Sequence, residues 1–179
     1  GYYNGINIYN ADGNTINNNT ILDHYSYTTI ALYLVSESNI FTNNTIQDCN
    51  GGIWIAYSHA YNGRIGHQVI NNLIECDVFG IRIFEDSENT IRDNTISGGQ
   101  YGIKIDYSPE NIITNNTITD NDYGIYITEE SDEDYYCCSS DDNIIKHNNI
   151  TGNTYGLNSS VFVDARYNWW GNNTGPGGS

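Results

Sequence analysis

The sequence predicts an all-β fold: a single-stranded, right-handed parallel β-helix of about seven rungs. Three observations carry that expectation. One segment recurs with a basic period of 22 residues, a second segment alternates with it, and an asparagine holds the same repeat position in every copy.

The first segment reads Asn14-Thr-Ile-Asn-Asn-Asn-Thr-Ile21, Asn39-Ile-Phe-Thr-Asn-Asn-Thr-Ile46 and His67-Gln-Val-Ile-Asn-Asn-Leu-Ile74. It returns as Asn89-Thr-Ile-Arg-Asp-Asn-Thr-Ile96, Asn111-Ile-Ile-Thr-Asn-Asn-Thr-Ile118 and Asn143-Ile-Ile-Lys-His-Asn-Asn-Ile150. The steps between starts are 25, 28, 22, 22 and 32, so insertions interrupt the basic period. The second segment reads Gly5-Ile-Asn-Ile8, Gly52-Ile-Trp-Ile55, Gly80-Ile-Arg-Ile83, Gly102-Ile-Lys-Ile105 and Gly124-Ile-Tyr-Ile127. Thr29-Ile-Ala-Leu32 and Gly156-Leu-Asn-Ser159 are weaker copies. Ile-x-Ile alternates with the period of a half-buried strand, and no helical period is sustained.

Short strands cannot bury a core alone, but stacked about 4.8 Å apart each pairs with its copy in the next rung. Ile6, Ile30, Ile53, Ile81, Ile103, Ile125 and Leu157 then form one interior column, and Ile21, Ile46, Ile74, Ile96, Ile118 and Ile150 another. A third combines Ile16, Phe41, Val69, Ile91, Ile113 and Ile145. Asn19, Asn44, Asn72, Asn94, Asn116 and Asn148 each lie two residues before the second column's Ile. An amide both donates and accepts, so this column reads as a ladder satisfying turn backbone that would otherwise be buried unpaired. Propeller blades need about twice this period, and sandwich strands do not repeat residue by residue.

Composition bounds the partners. Six Lys+Arg against 22 Asp+Glu give a formal charge of −16, which argues against nucleic acids and anionic membranes, since both require clustered cations. No apolar run is long enough to span a bilayer. The sequence has no Met, even at position 1, and reads as the product of a cleavage or a segment of a longer protein. Asn-x-Ser/Thr sequons at Asn18, Asn43, Asn115, Asn149, Asn158 and Asn172 fit an extracellular or cell-surface setting, although Asn- and Thr-rich repeats also generate them by chance.

The Asn-Asn-Thr-Ile and Tyr-Gly-Ile-x-Ile motifs cover nearly all of residues 1–160 and resemble the parallel β-helix repeat proteins of the NosD-like and carbohydrate-binding/sugar-hydrolase families. The tail, Asp164-Ala-Arg-Tyr-Asn-Trp-Trp-Gly-Asn-Asn-Thr-Gly-Pro-Gly-Gly178, resembles the closing segment of archaeal surface β-helices. The resemblance divides the chain into a β-helix over 1–163, with insertions near 56–66 and 128–142, and a closing segment over 164–179. It is weak for function, because this fold hosts lyases, epimerases, adhesins and envelope structures alike.

One exterior column, Asn7, Ala31, Trp54, Arg82, Lys104, Tyr126 and Asn158, is the candidate contact strip. Trp54, Arg82, Lys104 and Tyr126 suit an anionic glycan or a protein partner, with Glu85 and Asp106 close by; the bland alternative is a solvated face. The paired-Asp motif of a polygalacturonase and the Asp-Pro-His-Glu motif of an alginate epimerase are both missing, so no catalytic residue is expected. NosD-like proteins carry an association with copper. His24, His59, His67 and His147 have no metal-ligand spacing, and no metal or other cofactor is expected. Calcium at the acidic 128–142 insertion is the one exception entertained, against a solvated loop as the default.

Cys49 and Cys76 follow matched Ile46 and Ile74 on adjacent rungs and suit an intra-chain disulfide, or two buried thiols in a reducing compartment. Adjacent Cys137 and Cys138 suit links to other chains, with vicinal pairing or metal binding as alternatives. Gly1-Tyr-Tyr-Asn-Gly-Ile-Asn-Ile8 enters a rung without a cap, which calls for an upstream region or a neighbouring molecule, and Trp169-Trp170 covers the other end. The expected role is a non-enzymatic structural subunit of an extracellular envelope assembly, such as a sheath, S-layer or filament, associating with itself. The alternative is a β-helix that binds or modifies polysaccharide.

Overall fold

The computed structural model describes residues 4–57, 65–129 and 139–171, which form seventeen strands and no helix. All paired strands run parallel, and the chain winds as a β-helix with the right-handed crossovers such connections favour. One face holds β1 (Ile6–Tyr9), β4 (Ile30–Tyr33), the second halves of β6 (Thr45–Ala56) and β8 (Leu73–Phe84), then β11 (Tyr101–Asp106), β14 (Tyr123–Thr128) and β17 (Tyr155–Ser159). The second face stacks β2 (Thr15–Asn17), β5 (Ile40–Thr42), β7 (Gln68–Ile70), β9 (Thr90–Arg92), β12 (Ile112–Thr114) and β15 (Ile144–Lys146). The third carries β3 (Thr20–Leu22), the first halves of β6 and β8, then β10 (Thr95–Ser97), β13 (Thr117–Thr119) and β16 (Asn149–Thr151). Among the described residues β17 is the only strand of its rung, so complete turns number fewer than the seven expected.

The corners follow from backbone chemistry. Asn18, Asn43, Asn71, Asp93, Asn115, His147 and Tyr167 all adopt positive φ, between 53° and 65°, and each directly precedes a buried asparagine or its equivalent. Asn and Asp tolerate this left-handed region better than other side chains, which is why they dominate the position. Each bend turns the chain between the second and third faces and leaves backbone groups facing inward.

The asparagine column satisfies those groups. Asn94 Oδ1 accepts the backbone N–H of Asn72 at 2.9 Å, while its Nδ2 donates to Val69 O at 2.9 Å, Arg92 O at 3.0 Å and Asn116 Oδ1 at 2.9 Å. The same pattern links Asn19 to Asn44, Asn44 to Asn72, Asn94 to Asn116 and Asn116 to Asn148. A second ladder, one corner away, joins Asn14, Asn39, His67, Asn89, Asn111 and Asn143. The tail extends the first ladder: Asn148 N–H donates to Asn168 Oδ1 at 2.9 Å, and Trp170 occupies the place of the column's isoleucine, packed on the core. Lys146 at 2.9 Å and Arg166 at 2.8 Å grip Asp164 in this tail, holding its carboxyl well below the usual range, with the Arg166 hydrogen bond the larger cause.

Inside the ladders, Ile30, Ile53, Ile81, Ile103 and Ile125 are fully buried, as are Ile46, Ile74, Ile96, Ile118 and the mixed column of Phe41, Val69, Ile91, Ile113 and Ile145. Each such side chain contributes about 1.5–3 kcal/mol by leaving water. Gly102 shows how tightly rungs approach: a Cβ there would lie 2.6 Å from Gly124 O and 2.6 Å from an Ile118 methyl, so only glycine fits.

His67 is the ladder's variant. It is 1 % exposed, its Nδ1 accepts the Asn39 N–H at 3.2 Å, and burial pushes its pKa down from 6.5 to about 4. The folded state therefore holds this ring neutral, while the unfolded chain binds a proton below pH 6.5. The contribution of His67 to stability should be unaffected above pH 6.5, fall as pH drops towards 4, and change no further below it, losing up to about 3 kcal/mol. His67→Asn should flatten that segment of the stability–pH curve, measured by urea midpoint. Asn94→Ala strands the Asn72 N–H and the Val69 carbonyl and should cost about 3 kcal/mol at pH 7, read from the same midpoint.

Candidate functional site

The register of the first face turns residues spaced 22 to 32 apart in sequence into neighbours. Asn7, Ala31, Trp54, Arg82, Lys104, Tyr126 and Asn158 are successive Cα partners along the axis. All point outward, because the alternate positions, Ile53, Ile55, Ile81 and Ile83, fill the core.

At the centre of this column Asp106, with a side chain only 4 % exposed, holds both cations. Its Oδ2 accepts from Arg82 Nε at 2.9 Å, and its Oδ1 lies 3.2 Å from Lys104 Nζ. Arg82 also donates from Nη1 to Tyr27 Oη at 2.6 Å, and its guanidinium lies over the rings of Trp54 at 5.5 Å and Phe84 at 5.3 Å. The Lys104 ammonium sits over Tyr101 at 5.3 Å and Tyr126 at 6.0 Å. Two cations share one carboxylate here, leaving local positive charge on a chain of net charge −16. Fixed by packing and hydrogen bonds, the guanidinium and ammonium need little reordering to meet a ligand.

Beside Arg82, Tyr27, Tyr33, Trp54 and Asn4 line an open cavity of about 350 Å³. Tyr27 and Tyr33 pack edge-on to Trp54, with ring centroids 5.3 and 5.0 Å away. The Trp54 Nε1–H is buried without a protein acceptor among the described residues, a donor that a ligand oxygen in this cavity could satisfy. Burial raises the Tyr33 phenol above its ordinary pKa, so it remains a hydrogen-bond donor at neutral pH. Tyr27 comes from the irregular 23–29 connection, outside the repeat, so column reasoning does not find it, whereas Asp106, two residues beyond Lys104 on β11, is the acid the sequence already places close by.

The other candidate residues lie elsewhere. Cys49 and Cys76 are Cα partners at the corner where β6 and β8 bend between faces, both buried and both thiols in the structure. Burial, the larger cause, and the neighbouring Cys49 push the Cys76 thiol far up. Asn18, Asn43, Asn115, Asn149 and Asn158 are exposed, while Asn172 is outside the described residues, as are Cys137 and Cys138. Most of the acidic 128–142 segment is also outside them. Of its described acids, Glu129 accepts from the Ser140 N–H and Asp141 from the Ser139 hydroxyl.

Rungs, ladders and an aromatic–cationic outer strip define a parallel β-helix repeat protein with one built contact face. The sequence model of the NosD family, described as periplasmic copper-binding protein (NosD), matches residues 1–174, and the chain belongs to that family. Among solved structures it is similar to the periplasmic alginate epimerase AlgG, at 18 % identity and a TM-score of 0.65. A point mutant of AlgG gives 17 % identity and a TM-score of 0.69. Each match covers 93 % of this chain and 47 % of the other, so the chain spans about half the length of these structures, and the likeness is one of fold. No curated protein matches it.

The described residues do not fit a copper centre. Copper takes thiolate, thioether or imidazole donors in a cluster. There is no Met, the His67 Nδ1 is committed to the ladder, and His147 stacks on Tyr167 at 5.8 Å. Among the described residues no three His, Cys, Asp or Glu side chains gather where an ion could sit.

Proposed function

We propose that this NosD-family β-helix is a non-catalytic envelope protein that binds an acidic polysaccharide along its first face. The observation that carries the reading is the junction of Trp54 and Arg82: an aromatic cavity with a buried, unpaired indole donor meets a guanidinium and an ammonium held by Asp106. Sugar rings stack on aromatic faces while their carboxylates accept from fixed cations, and this strip offers both along one line. The periplasmic descriptions of the family and of AlgG favour an envelope or extracellular location. AlgG's action on alginate supports the choice of a carboxylated polymer. Against catalysis stands the commitment of Asp106, the acid of the strip, to holding two cations at once.

In calorimetric titration or affinity electrophoresis, alginate or polygalacturonate should bind and a neutral glucan should bind more weakly. Trp54→Ala should weaken binding roughly 10- to 100-fold, the equivalent of about 1.4–2.8 kcal/mol. Arg82→Gln should reduce the preference for the acidic polymer and its salt dependence. Equal binding by wild type and both variants would overturn the site. New unsaturated or epimerised sugars after prolonged incubation would overturn its non-catalytic character.

The expected building-block role is a second reading. It is favoured by the two continuous ladders, which join the described rungs into one stiff unit, and by Cys49 and Cys76 standing in register. It has the solenoids associate as a sheath, S-layer or filament, with Cys137 and Cys138 as inter-chain links and a Cys49–Cys76 disulfide inside each chain. Negative-stain imaging should then show ordered assemblies that disperse with reductant, and the unreduced chain should be two hydrogens lighter per Cys49–Cys76 bond. Dispersed monomers with free thiols under oxidising conditions would rule it out.

A further inference from the structure

The first face carries a second column, one place before the Gly-Ile-x-Ile motif, that the glycan reading leaves unused. Phe79, Tyr101, Tyr123 and Tyr155 occupy it, with Tyr101 partnered to Phe79 and to Tyr123, and Tyr123 to Tyr155. The phenol rings stack: Tyr101 and Tyr123 have centroids 5.4 Å apart and planes 21° apart, and Tyr123 and Tyr155 are 5.0 Å and 17° apart. Parallel pairing of β11 with β14 and of β14 with β17 sets this spacing.

We propose that Tyr123 and Tyr155 form an oxidative modification site, at which a peroxidase-class oxidant joins two rungs through a carbon–carbon bond between the rings. Each phenol gives up one electron and its hydroxyl proton, and one hydrogen peroxide takes up both pairs to become two waters. The two phenoxyl radicals then couple at ring carbons ortho to oxygen. The hydrogens on those carbons return to the oxygens as both rings regain aromaticity, and the chain has lost two hydrogens in all. Holding the two radicals face to face replaces a bimolecular encounter with an intramolecular one.

Three features select this pair. Tyr155 is 54 % exposed, so an oxidant reaches the end of the stack. The Lys104 ammonium lies over Tyr101 and Tyr126, and a positive charge against a ring makes removal of its electron costlier. Burial also holds the Tyr101 phenol above its ordinary pKa, which further disfavours losing its proton. The electron hole therefore settles at the Tyr123–Tyr155 end, away from Lys104. The link, 32 residues long in sequence, would staple the last full rung to the partial one beyond it.

The test is treatment of dilute protein with hydrogen peroxide and a haem peroxidase, followed by digestion and mass spectrometry. The expected product is a monomeric chain in which the Tyr123 and Tyr155 peptides are joined, two hydrogens below their summed mass. Tyr123→Phe should abolish that product, and Tyr101→Phe should leave it, with unchanged melting curves showing that both variants fold. If coupling followed exposure alone, Tyr9, Tyr25 and Tyr167, at 63, 66 and 70 % exposed, would react first. Links dominated by those residues, links only between chains, or a yield unaffected by Tyr123→Phe would overturn the proposal.

Discussion

A chain that turns several tight corners per rung must bury backbone N–H and C=O groups at each corner, and water cannot reach them. Left unpaired, each would cost about 1–3 kcal/mol, enough in sum to exceed the stability of a domain this size. The side-chain amide of the next rung resolves this, because it accepts from one corner N–H and donates to corner carbonyls at the same time. Asn94, Asn116 and Asn148 do so in the same geometry. Rung length, strand register and the inward direction of the isoleucines all depend on that pairing. A shift of one residue would strand the corner groups and turn the apolar side chains to solvent.

The outer face inherits its order from the same constraint. Trp54, Arg82 and Lys104 are brought together by backbone partnering, and the Arg82 guanidinium then lies over the Trp54 ring. The cations then acquire fixed directions from Asp106, Tyr27 and the aromatic rings around them. A contact surface of this kind is stiff, and binding to it orders few side chains that were not ordered already. Variation at an outward position leaves the fold intact while altering what the face recognises. This is how one β-helix architecture serves unrelated tasks, and why the likeness to AlgG speaks for architecture.

Much of this was legible in the sequence because a solenoid writes its contacts as repeats. The isoleucine columns, the asparagine ladder and the outer column from Asn7 to Asn158 are one-dimensional patterns that stacking makes spatial. The closing ladder residue, Asn168, was hidden because Tyr-Asn-Trp-Trp replaces Asn-Asn-Thr-Ile, although the positive φ at Tyr167 and the inward Trp170 keep the same plan. Tyr27 lay beyond column reasoning, since it reaches the strip from an irregular connection; Asp106 was legible two residues beyond Lys104, but its grip on both cations was not. The tyrosine stack was visible as Tyr-Gly-Ile but carried no meaning until ring geometry showed faces in contact.

The measurement closest to the central claim is amide hydrogen exchange resolved at the corner residues. The N–H groups of Asn44, Asn72, Asn94 and Asn116 belong to no strand ladder and are held only by a side-chain oxygen of the next rung. If those amides organise the solenoid, they should exchange as slowly as the central strand amides of Ile81 and Ile103, opening only with global unfolding. Exchange at the rate of exposed loops, while the strands stay protected, would mean that the rungs hold without the ladder and would contradict the account.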